Sequence, residues 1–513
     1  MKPSDFGLLS ARFPSFYSGQ EKIILDVLSS TARFILLKAP TGSGKTVINW
    51  CCGKLHGDRF MYLVSTRELQ SQLLRDTRDC GMYDLRGHSN YACAGRDADD
   101  EFSCSDKKDC QYRDAVKESL SSSCVETNYA HWFVPALEDP NRFGKFACLI
   151  CDEMHLINDR LCQAVGFSLS EHNMRALGMS KDFKIDLRKT LTLKDYQETA
   201  VNVRQSLLDL ARKDRNDQMP RYRKALRLIH ALGRFIKDSD GATEWSVDIE
   251  SSNVLTFSPV WGSYYAEKFL YREIKKVILS SATAKESDLK RIGISHIDAE
   301  VFEMPSTFDP KRGPIVFISK EPKIRIDNKI DEPRKRMIVN RVDNLLQFHF
   351  DRGEKGIIQC TSYEWMNYLV RFSKVANRII SHQKGHSRDG VNRYRKSTIP
   401  LALASPSIKE GVDFANETCR FIIVLKVPFL NLHAKPNLMQ ARVNSDKRYM
   451  LDETSRSFEQ QIGRGRRNKD DYCVIYVLDA HWLWFKEEAE FGAHIKESFR
   501  QSASPVGLNF GGS

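Results

Sequence analysis

Residues 39–46, APTGSGKT, combine glycine, lysine and threonine at a spacing that can hold a chain of phosphates. A strand-like apolar run, Phe34 to Leu37, precedes this stretch, and a helix-compatible run begins at Val47. In such a turn the glycines let backbone N–H groups converge on phosphate oxygens, the lysine adds a point charge for the β- and γ-phosphates, and the hydroxyl binds Mg²⁺. The sequence therefore predicts a P-loop that binds ATP and Mg²⁺. Its binding residues are Thr41, Gly42, Ser43, Gly44, Lys45 and Thr46.

A glutamine stands just upstream of this P-loop. Gln20 begins a predicted amphipathic helix, from which its amide could contact the edge of the adenine base. A capping or surface role is the alternative interpretation, since that is the more common role of a glutamine at the start of a helix.

A pair of carboxylates follows a second apolar run. Residues 147–151, ACLIC, predict a buried strand, and Asp152 and Glu153 stand at its carboxyl end, where α/β sheets place their chemistry. Asp152 would hold Mg²⁺ through water, and Glu153 would orient and deprotonate the water that attacks the γ-phosphorus. The four letters DEMH alone are more often an acidic loop, but after a P-loop and a strand they predict an ATP-hydrolysing site.

Four cysteines lie between these two motifs in polar, loop-like sequence, which core packing does not explain. They indicate a metal, bound either as a Cys₄ zinc site or as a [4Fe–4S] cluster. Zinc ribbons usually pair their ligands as CxxC, and this window contains no such pair, so the pattern favours iron–sulfur over zinc. The four candidate ligands are Cys93, Cys104, Cys110 and Cys124.

A second α/β domain is predicted for residues 305–490, where further strand candidates alternate with helix-like segments, as a parallel doubly wound sheet requires. This region has no P-loop of its own. That asymmetry is expected if two RecA-like domains share one nucleotide. The strand candidates are Gly356 to Cys360, Leu401 to Ala404, Phe421 to Val427 and Cys473 to Leu478.

Residues 460–467, QQIGRGRR, fit the pattern QxxGRxxR. In this pattern Arg464 and Arg467 would project from the second domain toward the nucleotide, together with Gln460 and Gly463. An arginine there stabilises charge on the transferring phosphoryl group, an effect of about 10³ to 10⁵ in rate in GTPases. A basic helix that binds phosphates nonspecifically is the alternative.

Residues 160–255 have little strand character. Apolar residues recur at helical spacing on both sides of a polar break at Asp214 to Pro220, which predicts a hairpin of two amphipathic helices.

Several of these stretches together resemble the XPD/DinG-type iron–sulfur helicases of superfamily 2. They are GHSNYAC (87–93), the four cysteines between P-loop and DEMH, and ETNYAHW (126–132). Three later stretches, SSAT (280–283), TSY (361–363) and KEGVDF (409–414), resemble helicase motifs III, IV and V.

The resemblance implies an α/β fold with two RecA-like parallel-sheet motor domains, an inserted iron–sulfur cluster domain and a helical arch domain. Cys124 occupies an unusual place for a ligand of this family, and Cys80 is a possible substitute. The expected domains are motor domain 1 at 1–85, 127–159 and 256–304, the cluster insertion at 86–126, the arch at 160–255, motor domain 2 at 305–490 and a flexible tail at 491–513.

The resemblance also implies 5′→3′ movement on single-stranded DNA and unwinding of a DNA duplex or fork. Two alternatives stay open: an ATP-driven translocase without processive unwinding, and a nucleotide-gated nucleic-acid-binding module with structural zinc. RNA is also an open possibility for the track, because no reader of the ribose 2′-OH can be identified.

Composition agrees with a soluble, intracellular protein, either cytoplasmic or nuclear. The 78 basic and 66 acidic side chains give a charge of +12, which suits a polyanionic partner and equally suits a plain basic surface. No 18-residue apolar stretch occurs, so no membrane partner is expected. The thirteen cysteines, several inside apolar runs, suit reduced core thiols. We expect a monomer.

Overall fold

The computed structural model divides the chain into two compact units. The first comprises residues 1–39, 44–304 and 431–447, and the second comprises residues 40–43, 305–430 and 448–513. The structure describes residues 1–40, 42–92, 110–180, 184–185, 191–213, 220–250, 253–306, 308–318, 325–326, 330–406, 414, 416–465 and 471–502. The predicted site residues outside this part of the chain are Thr41, Cys93, Cys104, residues 409–413 and Arg467.

Short runs rich in β-branched and aromatic residues form the strands of the first unit, because such side chains pack well on a sheet that is covered on both faces. The strands are β1 (Phe34–Lys38), β2 (Phe60–Val64), β3 (Met82–Asp84), β4 (Cys124–Asn128), β5 (Cys148–Asp152), β6 (Phe167–Leu169), β7 (Trp245–Glu250), β8 (Val254–Pro259), β9 (Lys276–Ser281) and β10 (Ala299–Glu303). Seven of them form a parallel sheet in the order β10-β1-β9-β5-β2-β4-β3.

Helices cover both faces of this sheet. Leu36, Leu63 and Leu149 point into one core, and Ile35 and Ile150 point into the other. The helices are α1 (Gln20–Ser29), α2 (Lys45–Leu55), α3 (Arg67–Thr77), α4 (Gln111–Ser121), α5 (Tyr129–Ala136), α6 (Ile157–Val165), α7 (Glu171–Ala176), α8 (Leu193–Lys213), α9 (Pro220–Asp238), α10 (Ser263–Phe269) and α11 (Glu286–Arg291).

The order of the strands brings three motifs to one edge of the sheet. β9 lies between β1 and β5, with Lys38 of β1 opposite Ser281 and Asp152 of β5 opposite Ser280. Because these strands are parallel, their carboxyl ends meet at the same edge. The P-loop, SSAT and DEMH therefore lie side by side at this edge of the sheet.

The helical hairpin predicted within residues 160–255 is confirmed as α8 and α9. The expectation of little strand character there was wrong, because β6, β7 and β8 form a separate antiparallel sheet. Aromatic packing holds this sheet on the hairpin: Phe257 of β8 stacks on Phe167 with centroids 4.5 Å apart and lies 5.0 Å from Phe235 of α9. β7, with the sequence WSVDIE, alternates apolar and polar residues, so the sequence did contain a strand signal here that the expectation overlooked.

The second unit contains another parallel sheet of seven strands, which confirms the predicted α/β class. Its order is β13-β14-β12-β15-β16-β11-β17, built from β11 (Ile315–Ile318), β12 (Gly356–Gln359), β13 (Ile379–Ile380), β14 (Ala402–Ser405), β15 (Phe421–Val424), β16 (Val474–Val477) and β17 (Phe499–Ser502).

The later helices are α12 (Glu332–Phe350), α13 (Tyr363–Phe372), α14 (Ser387–Lys396), α15 (Pro436–Ser445), α16 (Tyr449–Ile462), α17 (Trp482–Glu488) and α18 (Ala493–Lys496). All belong to the second unit except α15, which belongs to the first. Across the described ranges, the helices are all too short or too polar to cross a bilayer.

The predicted flexible tail at 491–513 was wrong for residues 491–502. This segment contains α18 and β17, and β17 pairs with β11 at the edge of the second sheet. Phe491 and Phe499 pack against Trp482, with centroids 6.1 and 5.1 Å away. The serine- and glycine-rich letters that suggested a tail lie mostly beyond residue 502, outside the described residues.

One acidic side chain of the first sheet is buried without a hydrogen bond to its carboxyl group in the described part of the chain. Glu126 of β4 is completely buried, and neither of its carboxyl oxygens has a hydrogen-bond partner among the described residues. Burial, with a further contribution from Asp84, raises the pKa of Glu126 to about 9. The carboxyl group is therefore protonated in the folded protein at neutral pH.

This raised pKa predicts that alkaline pH destabilises the first unit. In the unfolded chain Glu126 ionises at its ordinary pKa. The free energy of unfolding is therefore unaffected by this group below about pH 4.5, and it falls by about 1.4 kcal/mol per pH unit from there up to about pH 9. We expect Glu126→Gln to remove this slope in urea unfolding measured from about pH 5 to about pH 9.

Glu198→Gln, at an exposed position on α8, is the matched control and should keep the wild-type slope. Equal slopes in Glu126→Gln and wild type would contradict the prediction.

Candidate active site

The P-loop turn requires glycine at two positions. Gly42 and Gly44 have φ angles of 81° and 74°, a left-handed conformation that glycine adopts without steric cost. Lys45 then begins α2, so the positive end of the helix faces the turn. Gln20 supports the turn from outside: its amide donates to the Gly44 carbonyl at 3.5 Å and accepts from the Tyr17 amide at 2.8 Å. A Cβ at Gly44 would collide with this amide.

The lysine meets both predicted carboxylates. Lys45 Nζ lies 2.9 Å from Glu153 Oε1 and 3.7 Å from Asp152 Oδ1. These three side chains retain 15, 28 and 17% of their exposure, respectively, so the cluster is half-buried but reachable by solvent. Thr46 is half-buried next to Lys45. The residues predicted for phosphate and Mg²⁺ chemistry therefore lie together.

The SSAT stretch also contacts this cluster. The Ser281 hydroxyl donates to Glu153 Oε2 at 3.2 Å, and His155 Nδ1 lies 3.0 Å from the same hydroxyl oxygen. The Thr283 amide donates to Ser281 Oγ at 3.2 Å. Sequence reasoning gave His155 no role; its place in DEMH was the only signal.

The two carboxyl groups have pKa values displaced in opposite directions. Burial raises the pKa of Asp152 and outweighs the attraction of Lys45. Burial alone would also raise the pKa of Glu153, but the Lys45 ammonium, His155 and the Ser281 hydroxyl together hold it well below its usual range. Glu153 is therefore ionised at neutral pH, as a base for water must be.

The backbone of the DEMH turn is strained. Glu153 has a φ of 51°, which is unusual for a residue other than glycine and is characteristic of functional sites. The Glu153 amide donates to Asp152 Oδ1 at 3.0 Å, and the buried Tyr129 hydroxyl donates to the Asp152 carbonyl at 2.8 Å. Sequence reasoning did not assign Tyr129, although it lies in the ETNYAHW stretch.

Ala92 and Gln111, which precede and follow the stretch that contains Cys93 and Cys104, lie together at the carboxyl edge of the first sheet. The Ala92 amide donates to Gln111 Oε1 at 3.2 Å, and the Tyr112 hydroxyl lies 3.0 Å from His131 Nε2. His131 is anchored by Thr127, 2.8 Å from its Nδ1. This frame holds Cys110, which immediately precedes α4.

Cys124 does not share this edge, which corrects its prediction as a cluster ligand beside Cys110. Helix α4 separates the two cysteines, and its eleven residues span about 16 Å. Cys124 begins β4 at the opposite edge and is buried in an apolar core with Phe60 and Cys148. Cys80 packs against the same core. Within the described ranges, no three His, Cys, Asp or Glu residues form a metal-binding group.

The second unit holds the described part of the QxxGRxxR stretch. Gln460 lies in the last turn of α16, and Gly463 and Arg464 form the short turn that follows. The Arg464 carbonyl accepts from the Phe414 amide at 3.4 Å. Gly465 has no room for a side chain, because a Cβ there would collide with the Cys473 sulfur.

Two family models match the chain over regions that contain the P-loop, DEMH and QxxGRxxR motifs. A DEAD/DEAH box helicase model matches residues 17–180, and a helicase C-terminal domain model matches residues 348–498. Together with the two parallel sheets and the Lys45–Glu153–Ser281 site, they support an enzyme of the ATP-dependent helicase class.

The chain is also similar to individual relatives and solved structures. The chain is 24% identical over 252 residues to the protein named 3′-5′ exonuclease DinG from Staphylococcus aureus strain USA300, an alignment of 47% of this chain and 27% of the relative. It thus spans about a quarter of the length of that relative. Solved structures titled XPD helicase and S. tokodaii Xpd4 have TM-scores of 0.61 and 0.60, each at 15% identity, covering 95% of this chain and all of theirs. These findings support the resemblance of the chain to the XPD/DinG-type helicases of superfamily 2.

Proposed function

We propose that this chain hydrolyses ATP to move 5′→3′ along single-stranded DNA and to separate duplex DNA, acting as a monomer. The observation that carries the catalytic part is the cluster of Lys45, Glu153 and Ser281 at the ends of β1, β5 and β9. DNA as the track and the 5′→3′ direction rest on the family resemblance.

ATP binding would redistribute the contacts of Lys45. The β- and γ-phosphates compete with Glu153 for the ammonium, because the phosphates carry more negative charge than one carboxylate. Once Lys45 has moved to the phosphates, Glu153 keeps its hydrogen bond from Ser281 and becomes available to the attacking water. Glu153 would then take a proton from that water, and Asp152 and Thr46 are the residues that would hold Mg²⁺.

Ser281 would report the state of the nucleotide. Its hydroxyl touches both Glu153 and His155, and its oxygen also accepts the Thr283 amide. A change at Glu153 therefore alters the hydrogen bonding of the whole SSAT turn. In the second unit, Arg464 and Arg467 would stabilise negative charge on the transferring phosphoryl group.

A basic groove on the helical hairpin supports a polyanionic track. The groove has a volume of about 800 Å³ between α8, α9 and residues 137–140. Its two carboxylates are Glu138 and Asp238, and Asp238 is already bonded by the Tyr265 hydroxyl at 2.9 Å. Six basic residues line it: Arg204, Arg223, Arg227, Arg234, Lys237 and Lys268. This excess of positive charge suits a sugar–phosphate backbone.

We further propose that an iron–sulfur cluster is bound at the carboxyl edge of the first sheet. Cys110 fits this role, because the contact between Ala92 and Gln111 closes the segment that contains Cys93 and Cys104. Cys124 does not fit, because it lies in the core at the other edge. The cluster would hold the segment in shape, and zinc is the alternative metal.

The test of the proposed function is ATP turnover by protein purified without oxygen. We expect single-stranded DNA to stimulate turnover more than single-stranded RNA or blunt duplex. Glu153→Gln should lower turnover by about 10² to 10⁴ while ATP still binds, since only the base is removed.

Tailed duplexes of both polarities then measure unwinding and direction. Translocation without strand separation would favour the remodelling alternative. Turnover that no nucleic acid stimulates, or that is unchanged in Glu153→Gln, would contradict the motor and favour a nucleotide-gated binding module.

The basic groove predicts a second result. Arg227→Glu reverses a half-exposed charge in the groove, whereas Arg212→Glu reverses an exposed charge on α8 outside its lining. We expect Arg227→Glu to weaken binding of single-stranded DNA and to lower the slope of log affinity against log salt by about 1 to 2, between about 50 and 200 mM salt. If both variants weakened binding of single-stranded DNA equally, the overall charge of the protein and not the groove would be responsible.

The cysteine geometry predicts the iron content of three proteins purified anaerobically. Cys110→Ser should lose iron and the visible absorbance of a cluster. Cys124→Ala should keep both, because its thiol packs in the core. Loss of iron in a folded Cys124→Ala protein would restore Cys124 as a ligand and contradict the assignment.

A further inference from the structure

Residues 431–447 belong to the first unit, although the chain on both sides of them belongs to the second. The chain crosses from the second unit after Leu430 and returns to it at Arg448. Between these two crossings lies α15. The contacts of this helix therefore fix a segment from the second half of the chain on the first unit.

The amino end of α15 is bound to the small antiparallel sheet. Asp248 of β7 accepts from the Asn437 amide at 2.8 Å and from the Leu438 amide at 3.2 Å. The Asn437 side chain donates to the Val247 carbonyl at 2.8 Å. These bonds satisfy amides that the first turn of a helix leaves without intrahelical partners, and they place a carboxylate at its positive end.

The middle of α15 is bound to the helix that follows DEMH. Arg442 is only 3% exposed, and its guanidinium donates to Asp159 Oδ1 at 2.7 Å and to the Val260 carbonyl at 2.9 Å. It also lies 5.2 Å from the Trp261 ring. Asp159 is in α6, which begins at Ile157, directly after the DEMH turn.

The carboxyl end of the segment is bound to the helix that follows SSAT. Asp446 accepts from Arg291 Nη2 at 2.7 Å and from Arg291 Nε at 3.0 Å. Arg291 is the last residue of α11, which begins at Glu286, shortly after Thr283. Ser445 accepts from the Trp261 indole at 3.0 Å. The DEMH turn, which contains Glu153, and the SSAT turn, which contacts it, are thus each followed by a helix that residues 431–447 hold through an ion pair.

We propose that residues 431–447 couple the ATP site to the second unit, and that Arg442 is a positioning residue for nucleic-acid-stimulated ATP hydrolysis. A change in the DEMH or SSAT turn displaces α6 or α11, and α15 follows because its ion pairs are short and Arg442 is buried. Both ends of the segment continue directly into the second unit, so the displacement is transmitted through the chain itself. This inference rests on the proposed motor function.

Arg442→Gln tests the inference, because it removes the charge but keeps an unbranched polar side chain at this position. We expect turnover without nucleic acid to stay near the wild-type rate and the KM for ATP to be unchanged. The kcat stimulated by single-stranded DNA should fall by about tenfold. Gln440→Ala is the matched control on the same helix: Gln440 is exposed, bonds to Asn444 within α15, and should behave as wild type.

Asp159→Asn is a second variant that breaks the same ion pair. Because Asp159 is half-exposed, this substitution does not disturb the protein interior. It should reproduce the loss of stimulation, and the double variant with Arg442→Gln should be no worse than either single variant. Normal stimulation in both variants, or parallel losses of basal and stimulated turnover, would overturn the coupling role. Absence of stimulation in the wild type would instead contradict the motor function, and the inference would fall with it.

Discussion

The ion pair between Lys45 and Glu153 depends on the order of strands in the first sheet. The two residues are 108 positions apart, and they meet because β9 lies between β1 and β5 and carries Ser281 to the same edge. An ion pair at a half-buried edge is stronger than one in open water because the local dielectric is lower, yet ATP phosphates can still reach it. Burial raises the pKa of Asp152 despite the attraction of Lys45, whereas the closer Lys45 ammonium, together with His155 and Ser281, lowers the pKa of Glu153.

Each motif of the nucleotide site is predictable from sequence because the geometry within each motif is local. A phosphate-binding turn needs Gly42 and Gly44 next to Lys45, and a catalytic pair at a strand end needs the apolar run before Asp152. The hydrogen bond from Ser281 to Glu153 joins residues 128 positions apart, and only the resemblance to a helicase motif indicated it. Tyr129 and His155 escape prediction because nothing in their spacing shows which distant partner each will meet.

Elements whose partners are remote were also the ones that sequence reasoning missed or misplaced. β17 has four residues, and its stability comes from pairing with β11 and from Phe499 packing on Trp482. The spacing of Cys110 and Cys124 suggests one metal site, but a helix between them carries the two thiols to opposite edges of the sheet. Proximity along the chain indicates proximity in space only where no regular element intervenes.

The position of α15 means that the first unit is not continuous in sequence. A fragment ending at Met304 would contain the whole first sheet and the nucleotide cluster, yet it would lack residues 431–447. Arg291, Asp159 and Asp248 would each lose a partner, and the surface that buries Leu438 would face water. Such a fragment should be less stable than the intact chain and prone to associate through that surface. A separate peptide of residues 431–447 should bind this fragment and restore the lost contacts.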